Sequence, residues 1–216
     1  MPNFDLARRL IDTLPASQPG LFNPWHDWCD ADDRSSPQGG PEGRLARLAA
    51  HLDCEPRYIL CGQSPGWQGC RYSGIAFTCE RQVIEGGIPR LAPISSRLTR
   101  TDPPVDALSE PSATVMWNTL HGLGIAGEVV LWNALQLHPH RPAVPWSNRT
   151  PKWSEVELGA PALELLLEAF PDAKVIAVGL KSKDLLEALD IHPNGHLRHP
   201  AHGGARHFAE ELRRLI

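Results

Sequence analysis

The sequence predicts an α/β fold: a three-layer α/β/α sandwich around a central, mostly parallel, four-stranded sheet. Three observations carry that expectation. The apolar runs RYILCG (57–62), EVVLWN (128–133) and KVIAVG (174–179) are short and nearly continuous, as in strands covered on both faces. Helical patterns alternate with them, which favours crossover connections and parallel pairing. The chain of 216 residues is long enough for one sizeable core.

The elements follow in order. Residues 3–14 place Leu6, Leu10, Ile11 and Leu14 on one helical face. Residues 16–41 are rich in Pro, Gly, Ser and Asp and read as a surface segment. Within it, WHDWCDADD (25–33) reads as a solvated loop. Residues 43–52 form a second helix and 57–62 the first strand. A helix can begin at 80–85, and 86–110 is irregular and punctuated by proline. Residues 111–123 read as a helix, with Pro111 in its first turn and Gly124 near its end. The second strand, 128–133, follows. A helix runs from 154 to about 169, with Ser154 and Glu157 at capping-box spacing. Then come the third strand, a helix at 181–189, a short fourth strand at 197–199 and a closing helix at 205–215. Together they make a single domain.

Composition sets bounds on function. The net charge of -4 gives no global case for nucleic acid or a membrane surface. The N-terminus does not read as a signal peptide, and no apolar run reaches the roughly 18 residues needed to span a bilayer. The expected location is the cytoplasm. The five cysteines contain no CxxC pair and read as reduced, buried thiols. No metal site and no cofactor are expected.

Local charge is more informative. In a parallel sheet, ligands bind outside the carboxyl ends of the strands. Three loops at predicted strand ends, 63–79, 134–153 and 200–204, contain no Asp or Glu. They carry Arg141, Arg149, Lys152, His202 and, just beyond, Arg206, and seven of the ten histidines lie after residue 137. An excess of positive charge at one sheet edge suits a phosphate-bearing partner. The Cys/His content and the HPH and HPAH runs also allow a metal. Against it, prolines after His138 and His199 fix an extended chain and no helical HxxxH pair occurs.

Three motifs stand in order at these strand ends: GQSPGWQGCRYSGIAFTCE, VLWNALQLHPHRP and LRHPAHGG. Together they resemble the uracil-DNA glycosylase superfamily over residues 57–210, with the first 50 residues as an N-terminal helical extension outside the likeness. The motif style is similar to that of the single-strand-selective and mismatch-type monofunctional branches. The resemblance implies a monofunctional DNA glycosylase that cleaves the N-glycosidic bond of a deaminated or 5-modified base. The base is flipped out of DNA during base excision repair, and the enzyme is a monomer without a cofactor.

The resemblance also implies roles. His199, with Gln63 and Ser64, would form the catalytic group, His199 donating to the departing base anion. Phe77 would stack on the base and Asn133 would read its edge, against a wall made by Gly62, Pro65 and Gly66. Arg141, Arg149, Lys152, His202 and Arg206 would hold the DNA backbone. Two departures stand out. Ser64 occupies the position where related families carry Asp or Asn, so Gln63 would orient a water, or Glu80 or another acid would enter from elsewhere. Gly66 replaces a tyrosine that excludes thymine's methyl group, so the pocket is expected to leave room for 5-substituted or larger bases. If no carboxylate arrives, the alternative is a member that binds DNA or a nucleobase without cleaving it.

Overall fold

The computed structural model describes residues 1–99 and 106–216. Four strands, β2 (Tyr58–Gly62), β3 (Val129–Asn133), β5 (Lys174–Val178) and β6 (Gly195–Leu197), form one sheet in the order β3-β2-β5-β6. Every pairing in it is parallel, so all four carboxyl ends face one edge. The register places Gly62 opposite Asn133 at that edge.

The strands alternate their side chains between two cores. Ile59, Cys61, Val130, Trp132, Val175 and Ala177 share one core with Leu6 and Leu10 of α1 (Phe4–Asp12), Leu48 of α2 (Gly40–His51) and Leu163 of α7 (Ala160–Ala169). Tyr58, Leu60, Val129, Leu131, Ile176 and Val178 share the other with Met116 and Leu120 of α5 (Pro111–Gly122) and Phe208 and Leu212 of α9 (Ala205–Leu215). Both faces are therefore covered, which is why the strands read as continuous apolar runs. The three-layer sandwich is as expected.

Shorter elements complete the chain. A turn of helix, α3 (Cys70–Ser73), and α4 (Glu80–Glu85) follow β2. The expected 154–169 helix is α6 (Trp153–Val156) running through a 3₁₀ turn into α7, and α8 (Leu180–Ala188) follows β5. The fourth strand ends at Leu197, so His199 lies just beyond the sheet rather than in it. Residues 86–99 and 106–110 form no helix or strand. Residues 100–105 of that stretch lie outside the described residues.

The segment 16–41 differs from expectation. It is built into the fold. β1 (Leu21–Phe22) pairs antiparallel with β4 (His138–Pro139), and Trp25 stacks on Trp132 with ring centroids 6.4 Å apart. Asp32, read as part of a solvated loop, is buried and forms an ion pair with the buried Arg44. Arg44 also donates to the carbonyls of Pro24 (2.8 Å) and Asp27 (3.2 Å), and Asp32 accepts the Cys29 N–H (2.9 Å). A charge from α2 draws the acidic segment inward, and nothing within 25–33 itself signals this. Of the five cysteines, four are buried and Cys54 is half-buried, and all five are free thiols.

Candidate active site

The site begins at Gly62, the last residue of β2. A Cβ there would stand 2.5 Å from Phe77 Cζ and 2.6 Å from Asn133 Oδ1. The absence of a side chain therefore lets an aromatic ring and an amide converge on the same point above the sheet edge. Asn133 is buried at the end of β3, and its partner strand holds it in place through the Ala134 N–H donating to the Gly62 carbonyl (2.8 Å).

Phe77 sits at φ 49. A bulky residue in the left-handed region costs on the order of 1–3 kcal/mol and persists only where its surroundings hold it. Here the clamp is visible. The Ser73 hydroxyl accepts the Ile75 N–H (3.1 Å) and lies 2.8 Å from the Thr78 carbonyl it donates toward. Trp117 Nε1 donates to Thr78 Oγ1 (3.0 Å). Arg47 of α2 locks the turn from behind, donating to the carbonyls of Ser73 (2.6 Å) and Tyr72 (3.0 Å).

His199 completes the group, its ring centroid 5.8 Å from that of Phe77. Its Nδ1 accepts the Ala201 N–H at 3.1 Å. A nitrogen that accepts carries no proton, so the neutral ring bears its proton on Nε2. Burial, aided by His202, pushes the His199 pKa below its ordinary value, which keeps the ring neutral. The result is a fixed N–H donor beside an aromatic face and an amide. Such a donor suits a developing anion on a planar ring.

Loops 63–79 and 134–153 are tied together beneath this group. Buried Arg71 lies 2.7 Å from His138 Nδ1. His138 Nε2 in turn faces the Ser147 carbonyl (3.0 Å) and Asn148 Oδ1 (3.2 Å), and Asn148 Oδ1 accepts the Trp67 N–H (2.9 Å). Burial and the Arg71 charge push His138 down to about 3. The first histidine of HPH is therefore an internal tie.

The rim residues divide. Arg149 grips Glu155 with two bonds of 2.6 and 2.7 Å and also donates to the His140 and Gly20 carbonyls. Its guanidinium is committed within the fold. Arg206 pairs with Glu210 one turn on. Arg141, Lys152 and His202 are exposed. Gln63 and Ser64 are half-buried at the start of the loop, and the Gln63 carbonyl accepts the Leu135 N–H (3.0 Å). Pro65 is buried beside them.

Two expectations about acids are corrected. Glu80 is unavailable for catalysis: it accepts from the Leu98, Thr99 and Leu108 N–H groups, the Thr99 hydroxyl and Arg97. It pins Leu98, Thr99 and Leu108 instead. The room at Gly66 is also partly taken, by the movable end of a carboxyl side chain. Glu110 Oε1 stands 2.8 Å from where a Gly66 Cβ would be, and Glu110 Oε2 blocks the same place at Gly69. Sequence reasoning missed Glu110, whose only signal is its position just before Pro111 at the start of α5. Among the described residues, no group of three or more His, Cys, Asp and Glu is arranged to hold a metal ion.

A sequence model of the uracil DNA glycosylase superfamily matches residues 50–215. The crystal structure of wild-type Pedobacter heparinus SMUG2 is similar in fold, with a TM-score of 0.61 at 15% sequence identity. That match covers 98% of this chain and 95% of the other, so it takes in the N-terminal segment too. No curated protein matches. The chain belongs to the uracil DNA glycosylase superfamily.

Proposed function

We propose that this superfamily member is a monofunctional DNA glycosylase that releases a flipped, deaminated or 5-modified base in base excision repair. The observation that carries the reading is the convergence of Phe77, Asn133 and His199 above Gly62. The planar base stacks on Phe77, and the Asn133 amide reads its hydrogen-bonding edge. As the C1′–N bond lengthens, negative charge grows on the base. The neutral His199 Nε2–H, already aimed, stabilises it without reorganisation. The preference for Phe, Asn and His over charged residues follows from the ligand: a neutral base that becomes an anion only in the transition state. DNA is held from the rim by the exposed Arg141, Lys152 and His202, with Arg206 beside them.

One observation favours a second reading. Gln63 and Ser64 supply an amide and a hydroxyl where a water-activating carboxylate is needed, which suits binding without cleavage. The two are separated by one assay. Oligonucleotides carrying uracil, hydroxymethyluracil, hypoxanthine or xanthine are incubated with the protein and treated with alkali. Strand breaks that vanish in His199→Ala establish the glycosylase. DNA shifted in a binding gel but never broken establishes the binding protein.

A further inference from the structure

The first loop contains no acid of its own, yet a carboxyl reaches it. Glu110 approaches from the residue before Pro111, and its two oxygens fill the side-chain places left empty at Gly66 and Gly69. The same place at Gly69 lies 3.2 Å from the Thr78 carbonyl, and Thr78 directly follows Phe77. On the other side, Gly66 is four residues beyond Gly62, and four residues of chain separate the two by no more than about 14 Å. Glu110 thus meets, at Gly66 and Gly69, the loop that carries the base-stacking ring.

Glu110 is half-buried, and its surroundings differ from those of the fully buried Asp32 and Glu80. Asp32 faces Arg44 and Glu80 faces Arg97 and three backbone N–H groups. Glu110 has the Ser112 hydroxyl and no cation within ion-pair distance among the described residues. Burial raises its pKa above the ordinary carboxylate value, against the lowering by Ser112. A structural carboxylate is normally paired when buried. One that is desolvated and left without a cation is a better proton acceptor than an ordinary carboxylate.

We propose that Glu110 is a catalytic residue of this site, the proton acceptor that Ser64 cannot be. The inference rests on the glycosylase reading. Water attacks C1′ and the C1′–N bond breaks, its electron pair leaving with the base. The water's proton passes to the Glu110 carboxylate, and the base anion, held by His199, takes a proton from solvent. The glycines at 66 and 69 admit the carboxyl, so the loop's sequence and the distant acid form one device.

The test is single-turnover base release by wild type, Glu110→Gln and Glu110→Ala on a processed oligonucleotide. General-base removal is expected to slow release by about 10²–10⁴-fold in Glu110→Gln, with affinity for the same DNA kept. The wild-type rate falls as acid protonates Glu110, and that limb disappears in Glu110→Gln. Added formate partly restores Glu110→Ala, and thermal stability at neutral pH holds or rises because a desolvated charge without a cation is gone. Wild-type release by Glu110→Gln overturns the assignment, as does loss of both stability and activity in Glu110→Ala with no response to formate. A wild type that releases no base from any substrate overturns the glycosylase reading and this proposal with it. An active wild type with an equally active Glu110→Gln overturns this proposal alone.

Discussion

Two regions of the molecule bury polar side chains in loops, and they do so in opposite ways. Around α2, nearly every charge is answered from within: Asp32 by Arg44, and Arg47 by the carbonyls of Gln38, Tyr72 and Ser73. At the carboxyl ends of the strands, the polar groups converge and stay uncommitted. Among the described residues, the His199 Nε2–H and the Glu110 carboxyl each lack a full complement of internal partners, and Phe77 is held in a costly conformation. The first arrangement stabilises and the second waits for a ligand. They are connected, because the closed region clamps the turn that sets Phe77.

The contrast can be broken most sharply by exchanging effects between the regions. Removing the donor or the edge reader, in His199→Ala and Asn133→Ala, is expected to slow base release by roughly 10²–10³-fold with little change in thermal stability. Comparable release by either variant, in single-turnover kinetics, would break the functional side. Asp32→Asn acts on the structural side. It strands a buried guanidinium, which costs about 3–5 kcal/mol and lowers Tm by roughly 10 °C for a chain of this size. Calorimetry checks it, and activity at low temperature should survive.

Glu80 gives a pH form of the same distinction. Burial by itself would raise its pKa, but Arg97 and the N–H groups of Leu108 and Thr99 outweigh it and hold the value below the ordinary one. Glu80 therefore contributes stability above the ordinary carboxylate range. That contribution is lost as the pH falls toward the lowered value. Glu80→Gln should be less stable at neutral pH and less sensitive to acid, as read from denaturant midpoints across pH. The smallest effect belongs to the rim. Lys152→Ala should weaken DNA binding a few-fold and reduce the salt slope by about one. Arg149→Ala should instead lower stability, since its guanidinium ties Glu155 and three carbonyls together.

The sequence shows the two regions unequally. The sheet and its order of elements are legible because the strands are short apolar runs between helical patterns, and Phe77, Asn133 and His199 stand out only through their places in the three motifs that resemble the superfamily. The closed region is not legible. WHDWCDADD looks solvated because its acids dominate the composition, and the residue that buries Asp32 lies on a separate helix. The same limit hides Glu110. The acid-free character of loop 63–79 is real, but acidity is a property of the folded site, and the carboxyl arrives from far along the chain. Histidine clustering misleads for a related reason: His138 is buried against Arg71, while the His199 Nε2–H has no partner among the described residues, and no local pattern separates them.

The most direct test of the account is single-turnover release of the free base, detected chromatographically, by wild type and His199→Ala at equal thermal stability. The account predicts release from at least one deaminated or 5-modified oligonucleotide by wild type, slowed at least a hundredfold in the variant, with DNA binding kept. Equal release by both proteins would contradict the site assigned here, and no release by wild type from any substrate would contradict the glycosylase itself.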